Sequence, residues 1–471
     1  MKITYIGHAS ILIEVGGITI LSDPWWRGPC FGAQWWIHPA PFLEGLKDIR
    51  VDYIYISHGH HDHFHPGTLK TFGRDTKILV SNQAGIAEAV RELGFEVIGF
   101  DGEQEIALND TVRVRIVPTH SDDTLMTVTD GRETCVNVND ALHSAPAPVQ
   151  DVFIARLKAL FPRIDYLFCG YGVASHFPNC YDIPGKDRAL TAGRRQQYFN
   201  RQWVRLVDGL QPRFGFPFAA DVVFLEDDLF WANEPVHNTE RPTDAYRGLH
   251  PASAVDVRDI APGFTIENGK VTNEVLRTRI LANALRESCA DAIVRSNRYG
   301  SVSADDVRHL IDLLRSNIEV CNSYLMSFDA DWRFLIELRN SDFGIAIEKR
   351  GTSIDTRQVK LSENAKGEDG YDLKYTVRPA YLKLSLTQPY GNEILFVGSG
   401  GIFKYASRET AQTNLHRELI TIMKQHAQAP KSRYGDQPKW MYQAKQALKK
   451  KLGRSEPDLY DVSRWSVFHD A

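Results

Sequence analysis

The chain has 471 residues, of which 43% are hydrophobic and 24% are charged, with a formal net charge of −4. This balance is ordinary for a globular protein, and it gives no sign of a nucleic-acid partner. The sequence contains no apolar run of about 18 residues, so we expect no membrane-spanning helix. It also lacks a positively charged segment followed by an apolar one at its start, so we expect no signal peptide. The few, scattered cysteines fit a reducing compartment, and we expect a cytoplasmic protein.

The first half of the chain alternates predicted strands with predicted helices. Helices are expected over 82–93, with Asn82 as the cap, and over 149–160 and 186–209. Runs of β-branched and aromatic residues predict the strands between them. Such alternation favours an α/β sandwich. The main predicted strands are 51–56, 77–80, 96–100, 105–108, 111–117, 125–129, 134–138, 166–170 and 214–218.

The second half has a different pattern. Residues 232–262 are rich in Pro, Asn, Asp and Gly, which predicts an irregular connection. Apolar residues at helical spacing predict a helix over 305–325. Strands are expected over 334–349 and 371–386, and a further helix over 410–426. We therefore divide the chain into a first domain at 1–240, a connection at 241–264, an α+β accessory domain at 265–430 and a tail at 431–471.

A dense group of possible metal ligands follows the predicted strand 51–56. The loop carries H-x-H-x-D-H, formed by His58, His60, Asp62 and His63. Imidazole and carboxylate groups are good ligands for zinc, iron and related ions, and a rigid strand end holds such ligands in place. A solvated His-rich loop is the alternative, and the spacing directly after a strand disfavours it.

Two more possible ligands lie at the ends of later strands. His120 follows strand 112–119, and Asp140 follows strand 134–139. Taken alone, either would more often be an ordinary loop residue. Their order after the motif and their positions at strand ends favour one metal site on one rim of a sheet.

This arrangement resembles the metallo-β-lactamase superfamily, which implies an αββα sandwich with a dinuclear metal site. The resemblance implies that Asp62 and His63 hold the second metal and that Asp140 bridges the two metals. It also makes Asp62 the catalytic residue, which would orient a hydroxide. The first metal would be held by His58, His60 and His120.

The opening segments narrow the resemblance. Gly7-His8-Ala9 and Asp23-Pro24-Trp25 are similar to the branch that includes the ascorbate-phosphate lactonase and the N-acyl-phosphatidylethanolamine phospholipase D. The tryptophan-rich residues 28–39 and the segment 210–220 resemble the metallo-β-lactamase part of the CMP-N-acetylneuraminate hydroxylase family.

The chain departs from that hydroxylase family in its cysteines. Those hydroxylases carry a Rieske domain, and a Rieske cluster needs two Cys and two His ligands. The cysteines here form no C-x-H or C-x-x-H pair, so we expect no Rieske cluster in this chain. An oxidation would then need an external electron donor, such as a separate ferredoxin or reductase. The cysteines are residues 30, 135, 169, 180, 289 and 321.

The second departure concerns the last ligand of the second metal. The superfamily usually supplies a histidine near the end of the last core strand, and residues 214–221 contain none. Asp221, Glu226, His237, His176 or a water molecule are the open alternatives. An oxygen-rich second site favours iron or manganese over zinc.

Two activities stay open. The resemblance to the hydroxylase favours a non-haem diiron oxygenase, a monooxygenase acting on a small polar or aromatic substrate. The alternative is a zinc or manganese hydrolase that cleaves an ester, lactone, amide or phosphodiester with a metal-bridging hydroxide. A binding protein with a degenerate site is disfavoured, because the ligand set is intact. Candidate substrate contacts are His8, Trp25, Trp26, Trp36 and His176, although packing against a core edge is the alternative for the tryptophans.

Overall fold

The computed structural model divides the chain into two compact units. The first comprises residues 1–173, 195–224 and 233–288, and the second comprises 174–194, 225–232 and 289–471. The units are interleaved along the chain, so the sequential boundaries expected at 240 and 265 do not coincide with them. The structure describes residues 1–82, 85–119, 121, 123–172, 176–234, 240–278, 280, 282–296, 303–326, 330–364, 370–388 and 391–425.

Short strands account for most of the described framework. Numbered in chain order, they are β1 Lys2–Gly7, β2 Ser10–Val15, β3 Ile18–Ser22, β4 Trp35–Ile37, β5 Tyr53–Ile56, β6 Lys77–Ser81, β7 Glu96–Phe100, β8 Gln104–Ala107, β9 Arg113–Pro118, β10 Thr124–Thr129, β11 Thr134–Asn139, β12 Tyr166–Gly170, β13 Tyr181–Asp182, β14 Phe214–Phe218, β15 Val222–Phe224, β16 Asp256–Val257, β17 Thr265–Glu267, β18 Lys270–Asn273, β19 Trp332–Leu338, β20 Phe343–Arg350, β21 Ser353–Lys360, β22 Leu373–Val377 and β23 Gly401–Tyr405.

The described α-helices vary in length, and three short 3-10 helices accompany them at Phe31–Ala33, Leu43–Leu46 and Phe230–Ala232. The described helices include none with the length and apolarity that a membrane crossing requires. The α-helices are Pro66–Leu69, Ile86–Glu92, Ala147–Leu160, Arg188–Leu210, Pro242–Leu249, Ala282–Ser288, Ala290–Ser296, Ala304–Met326, Leu361–Asn364, Pro379–Thr387, Asn392–Phe396, Arg408–Gln412 and His416–Met423.

Two large sheets form the first unit. One has the strand order β18-β17-β1-β2-β3-β5-β6-β7, and the other has the order β16-β14-β12-β11-β10-β9-β8. Side chains alternate across each strand, so one face of each sheet contributes to a shared apolar core. Along β12, Tyr166 and Phe168 lie in that core, where they join Ile11, Ile20 and other residues of the first sheet.

The opposite faces of both sheets are covered by helices. Leu167 of β12 belongs to a second apolar cluster with Leu157 and Trp203 of the helices Ala147–Leu160 and Arg188–Leu210. On the outer face of the other sheet, Ile78 packs in a cluster with Val90. This helix–sheet–sheet–helix layering confirms the αββα sandwich.

A hairpin after the irregular connection belongs to the first sheet. Strand β17 pairs with β1, with Ile266 opposite Ile3, and β18 pairs with β17. These residues were expected in the accessory domain, and in the structure they pair with strands of the first unit. The pairing joins residues more than 250 positions apart, and no local pattern reveals such a long-range partner.

The second unit has a sheet of its own, with the order β13-β23-β22-β19-β20-β21. The helix Ala304–Met326 buries Leu310, Leu314 and Cys321 along one face, which agrees with the helix expected over 305–325. This is the α+β character expected for the region.

Two predicted elements differ from the observed ones. Residues 371–386 were expected to be strands, but Pro379 begins a helix after β22. Proline suits a first helical turn because its missing N–H would have no partner there. The helix expected to begin at Asn82 begins at Ile86 instead, with Gly85 as its cap.

Candidate metal centre

The ends of three strands of the first sheet bring polar residues to one rim. Strands β3 and β5 are parallel, and β1 points the same way because β2 is antiparallel to both β1 and β3. His8, Asp23 and Ser57 therefore follow directly on the same edge of the sheet, each after its own strand.

The second sheet contributes Asp140 after β11. The pairing of β11 with β12 shifts register between Asn137 and Asn139, and Asn139 has a left-handed φ of 55°. Asparagine tolerates that conformation better than most residues. Gly170 of β12 lies close by, since a Cβ there would be 2.8 Å from Asp140 Oδ1. The strand end thus depends on a bulge, an asparagine and a glycine to present Asp140.

Two overlapping groups of ligand atoms form on this rim. His8, Asp62 and His63 form one group, and His58, His63 and Asp140 form the other, with the ligand atoms of each group within 4.8 Å of one another. The two groups share His63. Imidazole and carboxylate atoms gathered in this way are donor types that divalent metal ions take in proteins, and His63 Nε2 can bind one ion of such a pair.

His58 and His60 meet through their ring nitrogens, with His58 Nε2 2.7 Å from His60 Nδ1. The Ser57 hydroxyl donates its proton to Asp23, so its oxygen accepts a hydrogen bond from His58 Nδ1 at 2.9 Å. That leaves the lone pair of His58 on Nε2, the nitrogen that faces His60. Burial lowers the pKa of His58 to about 4, so the ring is neutral at neutral pH, as a metal ligand must be.

His63 lies between two carboxylates. Its Nε2 is 3.3 Å from Asp62 Oδ2 and 3.5 Å from Asp140 Oδ2. Burial would lower the pKa of His63, but the two carboxylates outweigh burial and hold it well above its usual value. Burial likewise opposes ionisation of Asp62 and Asp140, and the charge on His63 reverses the effect and lowers the pKa of both carboxyls.

Asp23 ties the rim together. Its carboxylate accepts hydrogen bonds from the Ser57 amide and hydroxyl, each at 2.8 Å, from His63 Nδ1 at 3.1 Å and from the side-chain amide of Asn139. Because His63 Nδ1 donates to Asp23, its Nε2 is the nitrogen available to a metal. This matches the carboxylate–histidine–metal arrangement that orients many metal ligands.

Buried polar atoms on this rim indicate that its residues fit a pair of metal ions. Asp62 Oδ1 is buried and has no hydrogen-bond partner among the residues that the structure describes, and the buried His63 Nε2 has only long contacts, at 3.3 and 3.5 Å, to two carboxylates. A buried polar atom without a partner costs free energy, and a cation coordinated by these atoms would remove that cost.

The structure brings five of the six predicted ligands together: His58, His60, Asp62, His63 and Asp140. His120 lies outside the described residues. Asp123 was not among the predicted site residues, and its Oδ1 is 3.8 Å from His58 Nδ1. Burial opposes its ionisation, but His58 and His60 lower the pKa of Asp123 below its usual value. Its position directly before β10, beside a predicted ligand strand, was the available signal.

The candidate substrate contacts fall into different environments. His8 is buried, and its Nε2 is 2.9 Å from Asp62 Oδ2. Trp25 is fully buried and packs edge-on against His8, with ring centroids 5.1 Å apart. Trp26 packs against Phe72. Trp36 lies in β4, opposite β15, and donates to the Ala33 carbonyl at 2.9 Å. In these positions the tryptophans pack against the fold, which is the alternative left open for them.

His176 belongs to the second unit. Its Nδ1 donates to the Phe396 carbonyl at 2.7 Å, and its Nε2 accepts from the Tyr181 hydroxyl at 2.9 Å. Both ring nitrogens are therefore occupied within that unit, which gives His176 a structural role there.

Two alternatives for the last ligand of the second metal also have other partners. Asp221 forms an ion pair with Arg277 and accepts from Tyr5 at 2.5 Å. Glu226 forms a two-pronged ion pair with Arg378 at 2.6 and 3.0 Å. His237 lies outside the described residues.

The N-terminal part of the chain is similar to known proteins. Residues 2–137 match the model of the beta-lactamase superfamily domain. A protein of Mycobacterium tuberculosis that carries the name of a Rieske 2Fe-2S iron–sulfur protein is 28% identical over 257 residues, covering 50% of this chain and 46% of that protein.

Two further similarities involve a hydroxylase and a hydrolase. The inactive cytidine monophosphate-N-acetylneuraminic acid hydroxylase of Homo sapiens is 27% identical over 295 residues, covering 58% of this chain and 55% of the human protein. Among solved structures, Igni18, a metallo hydrolase of Ignicoccus hospitalis, is 20% identical with a TM-score of 0.39, covering 56% of this chain and 97% of that one.

The chain spans about half the length of the curated relatives it matches. The matched model covers the strands that carry His8, Asp23 and the H-x-H-x-D-H loop. Residues 2–137 of this chain are therefore similar to the beta-lactamase superfamily domain, and the αββα sandwich is that of the metallo-β-lactamase fold.

Proposed function

We propose that this chain is a dinuclear-metal enzyme whose centre is built on His58, His60, Asp62, His63, His120 and Asp140. The observation that carries the proposal is the pair of overlapping ligand groups that share His63. A metal pair at this place would supply Lewis acidity for hydrolysis or, if it is iron, activation of dioxygen.

Between the two chemistries we favour oxidation by a diiron centre, on a small polar or aromatic substrate. The similarity of 58% of this chain to the cytidine monophosphate-N-acetylneuraminic acid hydroxylase of Pan troglodytes, at 27% identity, supports this choice. Insertion of one oxygen atom from dioxygen into a C–H bond, with the other atom leaving as water, consumes two electrons and two protons. The proposal therefore requires an electron donor, for which we name a separate ferredoxin or reductase.

The protein's own groups have distinct tasks in this proposal. Asp23 holds the loop and orients His63 through Nδ1. The buried tryptophan beneath the rim, Trp25, fixes His8 and keeps water from that side. Asp62 keeps one oxygen, Oδ1, without a hydrogen-bond partner in the described part of the chain, so that this atom is available to a metal ion or to accept a hydrogen bond from water.

That free oxygen of Asp62 is also the observation that supports the second candidate, a zinc or manganese hydrolase. A carboxylate oxygen that orients attacking water suits cleavage of an ester, lactone, amide or phosphodiester. In this version no electron donor is needed, and the same residues hold the metals.

Elemental analysis and an electronic spectrum of protein purified without oxygen would test the proposal. About two irons per chain, with visible absorption that bleaches on reduction, would support the oxygenase. Two zinc or manganese ions and no such absorption would support the hydrolase, and panels of esters, lactones and phosphodiesters would follow.

Two substitutions supply the control. We expect His58→Ala and Asp140→Ala to lose metal while the far-ultraviolet circular dichroism stays that of the wild type. Full metal occupancy after both changes would contradict the proposed centre.

A further inference from the structure

Residues 214–221, which include β14, contain no histidine, and the structure places His8 beside the end of this strand. We propose that His8, after β1, is the third protein ligand of the second metal, together with Asp62 and His63. This inference rests on the proposed function, because it assigns a role within the same metal pair.

The spacing of the three ligand atoms fits one ion. His8 Nε2 is 2.9 Å from Asp62 Oδ2, and His63 Nε2 is 3.3 Å from the same oxygen. All three atoms lie within 4.8 Å of one another. Two ligands on one tetrahedral ion, with metal–ligand bonds of about 2.0–2.1 Å, are separated by roughly 3.3 Å. The ring of His8 is therefore where a ligand of that ion would be.

The backbone of His8 occupies the strand end from which the expected histidine is missing. The Ala219 amide, just past β14, donates to the His8 carbonyl at 2.9 Å. The His8 amide donates to Asp221 at 3.2 Å, and Asp221 is itself paired with Arg277. The ion pair with Arg277 makes Asp221 a poor alternative ligand, while the same contacts fix His8 in place.

The conformation of His8 is also one that needs support from its surroundings. Its φ is 49°, in the left-handed region that few residues other than glycine adopt. Residues held in such a conformation cluster at functional sites, where surrounding contacts determine them. Here Trp25 packs against the ring, the His8 carbonyl accepts from the Ala219 amide, and the His8 amide donates to the Asp221 carboxylate.

A proton relay through His8 is the competing role, and the ring contacts disfavour it. A relay requires a partner at both ring nitrogens. His8 Nδ1 is buried and has no hydrogen-bond partner among the described residues, while Nε2 faces Asp62 and His63. Coordination needs only Nε2, which is the nitrogen that the fold presents.

Cobalt binding to the full-length protein tests the assignment. We would titrate metal-free wild type, His8→Gln, His8→Asp and His61→Ala with Co²⁺ and follow the electronic spectrum and the bound metal. Glutamine keeps a side-chain N–H that can donate to Asp62 but is a weak ligand, whereas aspartate can coordinate. His61, whose ring stacks on Phe31, belongs to neither ligand group and serves as the matched control.

We expect two Co²⁺ ions per chain in the wild type, in His61→Ala and in His8→Asp. His8→Gln should keep one tightly bound ion and bind the second at least about tenfold more weakly. Binding of both ions by His8→Gln with the wild-type affinities would overturn the inference and leave the proposed function standing. A wild type that binds no Co²⁺ would instead refute the proposed function.

The wild type alone provides a second measurement, in case His8→Gln does not fold. Each histidine bound to cobalt gives a hyperfine-shifted ring N–H signal in proton NMR, which can be identified by ¹⁵N-histidine labelling. We expect one signal from each of His58, His60, His63 and His120, and one additional signal from His8. Absence of that additional signal would count against His8 as a ligand.

Discussion

Asp23 shows how much of the metal centre depends on a residue that is not itself a predicted ligand. It is fully buried, and its carboxylate accepts hydrogen bonds from Ser57, His63 and Asn139. These partners come from the β5 loop and from the end of β11, so one side chain aligns both halves of the rim.

We expect Asp23→Asn to weaken metal binding about 10–100-fold, the usual cost of removing a partner that orients a metal ligand. The new amide turns one acceptor into a donor, which then faces the donors of Ser57 and His63. Competition with a chelator of known affinity measures the change. Asp110→Asn, at an exposed position, is the control and should leave the affinity unchanged. An unchanged affinity in Asp23→Asn would show that the hydrogen bonds do not hold the site.

The buried histidines give the metal-free protein a pH dependence. The folded-state pKa of His58 is about 4, below its ordinary value of 6.5, because burial disfavours the charged ring. Between pH 6.5 and about pH 4, His58 therefore binds a proton in the unfolded chain but not in the folded chain. The free energy of unfolding falls as the pH is lowered through this range. His63 has a raised pKa, so its contribution is fully present below pH 6.5 and is lost only at higher pH.

His58 alone should cost on the order of 3 kcal/mol between pH 6.5 and 4. Urea unfolding of metal-free protein across this range measures the slope. In His58→Gln, which cannot titrate, the loss should be smaller by about that amount. Burial also lowers the pKa of His65 to about 4, so His65 accounts for part of the pH dependence that remains in His58→Gln. Equal slopes in the two proteins would contradict the lowered pKa of His58.

At the scale of elements, the hairpin of β17 and β18 is the unexpected part of the first sheet. Ile266 is fully buried and lies in the apolar core shared by the two sheets, opposite Ile3 on β1. Its contribution is to close an edge of the sheet that carries His8 at the end of β1.

We expect Ile266→Ala to reduce the free energy of unfolding of the first unit by about 2–5 kcal/mol, through lost burial and the cavity left behind. Denaturant unfolding is the measurement. Val152→Ala removes an aliphatic side chain that is 65% exposed on the helix Ala147–Leu160 and should change stability by less than about 0.5 kcal/mol. A similar, small effect at both positions would place the hairpin outside the folded core.

At the scale of the whole molecule, the two units should respond differently to metal. The described ligand groups come entirely from the first unit. A ligand that binds the folded form at 1,000 times its dissociation constant stabilises that form by about 4 kcal/mol.

Metal should therefore slow hydrogen exchange of β5 and β11 in the first unit more than that of β19 and β22 in the second. Hydrogen-exchange mass spectrometry with and without metal measures this difference. In Asp140→Ala the added protection should disappear. Equal protection of strands from both units, or none in the first, would contradict a centre confined to the first unit.

The sequence alone determined the ligand types, their loop and the fold class. The spacing of His58, His60, Asp62 and His63 after a strand is local information, and so is the alternation that predicts strands and helices. The structure brings these four side chains together with Asp140, and the αββα sandwich is confirmed. Local spacing was enough to predict most of the ligands because a short loop holds them.

Only the tertiary structure decided which distant residues complete the rim. Asp123 and the hairpin of β17 and β18 are positioned by pairing between remote strands, and His8 reaches Asp62 because β1 and β5 end on the same edge. Nothing in the sequence near His8 distinguishes a substrate contact from a metal ligand. The tryptophans give a second example. The sequence shows that they cluster, but whether each is buried depends on the residues that pack around it. The sequence therefore determined the chemistry of the loop, and the assembly of the sheets decided which residues act with it, because sheet edges are formed by contacts between residues far apart in the chain.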